Sequence, residues 1–128
     1  MITMAIETCW NAKTYRKTTG CGNIYVIINY YQDGEKKGKV EQVLINGDKE
    51  NQCGNSWFNT CADDLTYMIR RIRNKHEAIA ICKNYRYHRC NNIKPNKDHV
   101  TSCVDAIGQV LQTELSVSDD ELWGRKEI

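Results

Sequence analysis

The sequence predicts an α+β fold, in which an antiparallel sheet carries two main helices packed on one face. Segments rich in Ile, Val and Tyr occupy the first third of the chain, and apolar residues at three- and four-residue steps recur through much of the rest. Strands followed by helices favour separate β and α layers over alternating β–α units. The length of 128 residues suits one domain with one modest core.

Three strands are predicted before the first helix. Residues 11–18 alternate loosely, residues 23–32 are rich in Ile, Val and Tyr, and residues 40–45 alternate between two faces that both carry apolar side chains. Asp33-Gly34 and Lys37-Gly38 supply turn chemistry between the second and third of these strands. We therefore expect a sheet that is covered on one face and contacted on the other.

Apolar periodicity predicts two strong helices and a shorter one between them, over residues 56–73, 75–83 and 102–115. Small polar residues suited to capping lie at the start of both strong helices, with Asn55 or Ser56 at the first and Thr101 or Ser102 at the last. Residues 84–100 lack periodicity and are predicted to form a loop or a broken strand.

The predicted domain spans residues 1–118, and residues 119–128 form an acidic and aromatic tail. An exposed tryptophan on a terminus usually docks against another surface, so Trp123 is expected to contact a partner subunit. The sequence therefore predicts a homo-oligomer.

Composition and charge exclude several classes of partner. The net charge of +2 provides no global attraction for a long nucleic acid. No apolar run approaches the roughly 20 residues of a membrane helix, and residues 1–8 lack the basic and apolar regions of a secretory signal. Seven cysteines without such a signal are expected to be reduced thiols in the cytoplasm, which is the host cytoplasm if the chain is phage-encoded.

Four cysteine motifs are spread along the chain: Thr19-Gly20-Cys21-Gly22, Gln52-Cys53-Gly54-Asn55, Ile81-Cys82 and Thr101-Ser102-Cys103-Val104-Asp105. Their order and spacing resemble the TSCPD domain, a small module near the C-terminus of adenosylcobalamin-dependent ribonucleotide reductases. The resemblance runs from about Lys17 to Leu115, with Val104 where the family has proline and Gln52 where it has glycine. It implies the fold and little chemistry, because the radical and substrate sites of the reductases lie in another domain.

The resemblance also implies zinc, since TSCPD domains are described as zinc-binding, with Cys21, Cys53, Cys82 and Cys103 as the corresponding ligands. Four thiolates can hold Zn²⁺ tetrahedrally, but the chain has no Cys-x2-Cys pair, the usual local chelate. One alternative is that cysteines such as Cys61 and Cys103 pack as small apolar residues. A second is a reactive thiol near a helix start, at Cys53 or Cys103.

A candidate ligand site combines helix starts, whose free N–H groups attract anions, with arginines that grip phosphate and tyrosines that stack on a base. Its predicted residues are Asn55, Ser56, Arg70, Arg71, Arg73, Tyr85, Arg86, Tyr87, Thr101 and Ser102. The alternative interpretation is that the small polar residues are simple caps and the arginines form a solvated helix face. The three histidines lack a serine or carboxylate at catalytic spacing, so no enzyme activity is expected.

The sequence therefore predicts a non-catalytic module that binds, and sequesters, a small nucleotide. A stand-alone module of this size is similar to phage anti-defence proteins of the Thoeris type, which sequester cyclic ADP-ribose-type immune signals. Two alternatives stay open. One is a zinc-binding accessory or split-off module of a ribonucleotide reductase, and the other is a protein–protein adaptor that uses Trp123 and the basic face.

Overall fold

The computed structural model describes residues 5, 7–9, 11–48, 57–88, 100 and 102–123. Within these residues, strands precede helices along the chain, in the order β1 (Glu7–Cys9), β2 (Ala12–Thr19), β3 (Gly22–Tyr30), β4 (Val40–Gly47), α1 (Phe58–Ile69), α2 (Lys75–Tyr85), α3 (Cys103–Glu114) and α4 (Asp119–Trp123). This order confirms the predicted α+β class. None of the described helices has the length and apolarity required to cross a membrane.

The strands form an antiparallel sheet in the order β1-β2-β3-β4. The three predicted strands correspond to β2, β3 and β4, whereas β1 was missed because three residues are too few to show a periodicity. The turn after β3 contains Gly34 and Gly38 at φ values of +80° and +85°, which glycine adopts without steric cost. At the end of this hairpin, Asn29 pairs with Gln42 but Tyr30 pairs with Val40, so β4 carries an extra residue, as in a β-bulge.

One face of the sheet forms the core. Alternate residues of the central strands are buried there, namely Tyr15, Ile24, Val26, Ile28, Val43 and Ile45. Helix α3 contacts β2 and β3, and α1 contacts β4, which confirms the prediction of two main helices on one face. Thr66 of α1 anchors this contact, because its hydroxyl oxygen accepts a 2.9 Å hydrogen bond from the backbone N–H of Val43.

The remaining two helices complete the helical layer. Helix α2 packs on α3, and α4 packs on α2. The predicted tail therefore begins as a short helix whose Leu122 is buried in the core. The outer face of the sheet carries Leu44, which is 37 % exposed. The predicted homo-oligomer stays a prediction.

Both ends of α3 are defined by local hydrogen bonds. The Ser102 hydroxyl oxygen accepts a 2.9 Å bond from the N–H of Asp105, which confirms Ser102 as the cap. At the other end, Ser116 has a φ of +56°, and the N–H of Val117 donates to the carbonyl of Gln112 at 2.9 Å. This is a Schellman-type ending with serine in the position that glycine usually takes. It holds Glu114, the last residue of α3, against the sheet.

The cap predicted for the first helix has a different outcome. Helix α1 begins at Phe58, and the residue that precedes it, Trp57, makes no capping hydrogen bond with its side chain. Asn55 and Ser56 lie outside the described residues, as do Thr101 and Cys53.

Candidate functional site

A pocket of about 360 Å³ opens at the end of the β3–β4 hairpin. It forms where the hairpin turn meets the C-terminal ends of α1 and α3, and its lining residues are Tyr30, Tyr31, Lys36, Gly38, Lys39, Val40, Ile69, Arg70, Ile72, Glu114 and Leu115. The hairpin is closed by backbone bonds from the N–H of Tyr31 to the carbonyl of Lys39 at 2.9 Å and from the N–H of Gly38 to the carbonyl of Tyr31 at 3.0 Å. The rim of the pocket is therefore held by the sheet that also forms the core.

Three cations surround the opening of this pocket. Lys36 and Arg70 lie over the ring of Tyr31, with 5.6 Å from Nζ and 5.7 Å from Cζ to the ring centroid, and Lys39 follows in the same turn. All three side chains are exposed, and no described carboxylate is ion-paired with any of them. The opening therefore combines cations that are not ion-paired to a described carboxylate with an aromatic ring, as expected for an anionic ligand with a flat group.

A buried carboxylate lies at the inner side of the same pocket. Glu114 accepts a hydrogen bond from the hydroxyl of Tyr15 and another, of 2.5 Å, from the hydroxyl of Tyr30, and the ammonium group of Lys13 lies 3.9 Å away. Burial is the main cause that raises the pKa of both tyrosines, and the hydrogen bond to Glu114 adds to it. Both hydroxyls therefore stay protonated donors at neutral pH and are poor general bases.

The predicted arginines do not form one cluster. Arg70 lines the hairpin pocket, whereas Arg71 lies on the ring of Tyr67, with its Cζ 3.6 Å from the centroid. Arg73 is ion-paired with Glu77 at 2.9 Å, and the pKa of Glu77 is lowered mainly by this hydrogen bond. The solvated helix face suggested as the alternative interpretation thus describes Arg71 and Arg73 well.

Arg86 is directed into the protein. Its Nε donates a 2.9 Å hydrogen bond to Asp105, and its Nη1 donates to Gln112. Asp105 is completely buried and also accepts a 2.7 Å bond from the backbone N–H of Tyr87. The pair joins the end of α2 to the start of α3, so the guanidinium of Arg86 is committed to the fold.

A second pocket, of about 340 Å³, lies beside this pair and is lined by Lys83, Arg86, Tyr87, Leu122 and Trp123. Trp123 stacks on Tyr87 of the same chain, with ring centroids 5.0 Å apart, and remains 58 % exposed. The predicted Tyr85 lies elsewhere, where its hydroxyl is 3.4 Å from the sulfur of Cys61. The basic and aromatic segment over residues 85–87 is therefore divided between the interior and this second pocket.

Three of the four predicted zinc ligands, Cys21, Cys82 and Cys103, lie among the described residues, and Cys53 does not. Within the described part of the chain, no group of three or more His, Cys, Asp or Glu side chains could hold a metal ion, although three of the four predicted ligands lie there. Cys82 is completely buried in the core, where burial raises the pKa of its thiol to about 11. Cys103 is buried with its sulfur 3.4 Å from the hydroxyl of Thr19. Cys82 and Cys103 therefore fit the alternative in which cysteines pack as small apolar residues, and the four-cysteine zinc site stays a prediction.

Sequence reasoning missed most of the hairpin pocket. Of its polar residues only Arg70 was predicted, and Tyr30, Tyr31, Lys36 and Lys39 were assigned only to a strand end and a turn. One available signal was the mixture of tyrosine and lysine around that turn. Another available signal was the acidic residue Glu114 at the C-terminal end of a helix, which is an unusual position because the helix dipole is negative there.

Comparison with known proteins identifies the family. No curated protein and no solved structure matches the chain significantly. The family model described as the TSCPD domain matches residues 7–115, which include the whole sheet and helices α1 to α3. This match confirms the resemblance carried by the cysteine motifs, and it associates the chain with modules of ribonucleotide reductases. The chain belongs to the TSCPD domain family.

Proposed function

We propose that this TSCPD domain is a non-catalytic module that binds a small nucleotide in the hairpin pocket. The observation that carries the proposal is the set of three exposed cations that line the pocket, Lys36, Lys39 and Arg70. Lys36 and Arg70 lie over the ring of Tyr31. Charge-assisted hydrogen bonds to phosphate and stacking on an aromatic ring are the two contacts that a nucleotide requires. A volume of about 360 Å³ lies at the small end of the range for ligand pockets, roughly 300–1,000 Å³.

Binding without chemistry fits the polar groups of this pocket. The two phenol groups at its inner side donate to Glu114 and have raised pKa values, which favours positioning over proton abstraction. None of the described lining residues is a Ser, Cys or His nucleophile. Retention of an unmodified ligand would amount to sequestration, and a cyclic ADP-ribose-type signal of the kind removed by Thoeris anti-defence proteins carries both the phosphates and the base that this pocket suits.

The proposal is tested by isothermal titration calorimetry with AMP, ADP-ribose and cyclic ADP-ribose. The variant Lys39→Ala/Arg70→Ala should weaken binding by about 100-fold or more, because two charge-assisted phosphate contacts are lost. The matched control is Arg71→Ala/Arg73→Ala, which removes the same charge from the same helix end outside the pocket. Equal weakening in both variants would assign the effect to general electrostatics and reject the site.

Mass spectrometry then separates binding from turnover. A nucleotide that is released unchanged when the loaded protein is heated supports sequestration. A hydrolysed or opened product would reject the non-catalytic proposal.

The family match favours a second candidate, an accessory or split-off module of a ribonucleotide reductase. Its test is size-exclusion chromatography with an adenosylcobalamin-dependent reductase whose own TSCPD module has been removed. Co-elution in a fixed ratio, without nucleotide binding by the isolated chain, would favour this candidate over the first.

A further inference from the structure

Glu114 is a carboxylate at a position where a negative charge is costly. Glu114 is the last residue of α3, where the helix dipole is negative, and its side chain is only 7 % exposed. Both features disfavour a negative charge, since burial removes solvation and the helix end repels an anion. The two phenol hydroxyls and the Lys13 ammonium group, 3.9 Å away, offset part of this cost. Because the carboxylate also lines the hairpin pocket, it is a candidate for ligand recognition there.

The hydroxyls of Tyr15 and Tyr30 leave acceptor capacity on this carboxylate. Each donates to a different oxygen, with Tyr15 on Oε1 and Tyr30 on Oε2. A carboxylate offers about four lone-pair sites, so about one further hydrogen bond can be accepted by each oxygen. The two phenols hold the carboxylate from the side of the sheet, which fixes its orientation. What the pocket presents is a pair of adjacent, oriented acceptors.

The charges of the pocket also determine which way a nucleotide enters. A phosphate is repelled by the buried Glu114 and attracted by the exposed Lys36, Lys39 and Arg70 at the rim. Hence the phosphate stays at the opening, and the neutral part of the ligand reaches the carboxylate. In a nucleotide, the neutral group that offers two adjacent donors close to the phosphate is the ribose 2′,3′-diol.

We infer that Glu114 is the specificity residue of this pocket and accepts hydrogen bonds from the ribose hydroxyls, so that ribonucleotides are preferred over 2′-deoxyribonucleotides. This inference rests on the proposed function, because it names the substrate class of the same site. A site built to hydrogen-bond a hydroxyl discriminates strongly against the analogue that lacks it, because the buried acceptor is then left without its partner.

The test compares AMP with 2′-deoxy-AMP on the unmodified protein by isothermal titration calorimetry. We expect 2′-deoxy-AMP to bind about 10- to 100-fold more weakly, since one hydrogen bond to a charged acceptor is lost. GMP, CMP and UMP with their 2′-deoxy forms complete the series. Equal affinity within each ribo/deoxy pair would overturn the inference. So would affinities that depend on whether the base carries an amino group and not on whether the sugar carries a 2′-hydroxyl.

Two variants assign the discrimination to Glu114. Glu114→Gln keeps the shape but replaces an acceptor by a donor, and it should reduce the ribo/deoxy ratio to within about threefold. Arg71→Ala is the matched control: it changes a side chain that contacts Tyr67 and neither lines the pocket nor contacts Glu114, and it should keep the ratio. If the folded Glu114→Gln variant keeps the full ratio of ribonucleotide to 2′-deoxyribonucleotide affinity, the assignment of the discrimination to Glu114 is overturned. If no ribonucleotide binds the unmodified protein, the proposed function fails as well, whereas AMP and 2′-deoxy-AMP binding equally well overturns only the inference.

Discussion

Replacing Arg86 by alanine separates a structural role from the ligand role that the sequence suggested. In the structure its guanidinium is nearly buried and lies 2.9 Å from Asp105, which is completely buried. Arg86→Ala therefore leaves a carboxylate in the interior without its counter-ion. Breaking a buried ion pair by removal of one partner costs about 3–5 kcal/mol.

The surroundings of Asp105 place the expected loss near the lower end of that range. After the substitution, Asp105 still accepts hydrogen bonds from the backbone N–H of Tyr87 at 2.7 Å and from the Gln109 amide at 3.2 Å. Gln112 loses a donor as well. We expect a loss of about 3 kcal/mol in the free energy of unfolding, a large share of the about 5–15 kcal/mol typical of a domain.

The assay is urea denaturation, followed by far-ultraviolet circular dichroism, with Arg73→Ala as the control. Arg73 pairs with Glu77 on the surface, so its loss should leave the midpoint unchanged. Adding Asp105→Asn to Arg86→Ala should recover part of the loss, with a coupling of about 1–3 kcal/mol. A stable Arg86→Ala variant that has lost AMP binding would refute this reasoning and restore Arg86 as a phosphate contact.

Two further predictions concern packing and pH. Gly108→Ala should destabilise the protein by about 3 kcal/mol, because the new Cβ would lie 2.6 Å from the backbone carbonyl oxygen of Tyr85. The assay is thermal denaturation, with substitution of the exposed Thr113 in the same helix, Thr113→Ala, as the control. Equal melting temperatures for the two variants would contradict the close approach of α2 and α3. The second prediction uses the pKa of the Cys82 thiol, which burial raises from 9.0 to about 11. Because the folded state holds this proton more tightly, its contribution to stability is complete below pH 9 and is lost as the pH rises towards 11, by about 1 kcal/mol at pH 10. Urea midpoints at pH 8 and 10 should show this loss relative to Cys82→Ala, and identical pH dependence in the two proteins would exclude it.

The layers of the fold could be predicted from local pattern. Alternation in residues 23–32 and three- and four-residue steps in residues 56–73 and 102–115 report which face of an element is apolar, and burial of that face determines the layer structure. The end of β3 was placed less well, because the irregular pairing at Tyr30 depends on β4. The start of α1 was placed less well, because its N-cap residue, Trp57, makes no side-chain capping bond that the sequence could indicate. The cysteine motifs were sufficient to identify the family, but they did not predict whether each thiol is buried in the core or able to bind a metal.

The candidate site was only partly predictable. Arg70 was expected at a ligand, and it lines the hairpin pocket. Arg86 was expected there too, but Asp105, 19 residues further along the chain, holds its guanidinium inside the protein. An arginine that will bind a phosphate and an arginine that will pair with a buried carboxylate have the same local sequence, so spacing cannot distinguish them.

The sequence by itself determined the α+β class, the three longer helices, the family and the cap at Ser102, since each depends on local pattern or on short motifs. Only the tertiary structure brought Tyr15 and Tyr30 of the sheet to Glu114 at the end of α3, over separations of 99 and 84 residues. It also buried Cys82 in the core and placed Lys36 and Arg70 over one tyrosine ring. Such contacts depend on how α1 and α3 pack across the sheet, and the polarity of a single segment carries no record of that packing.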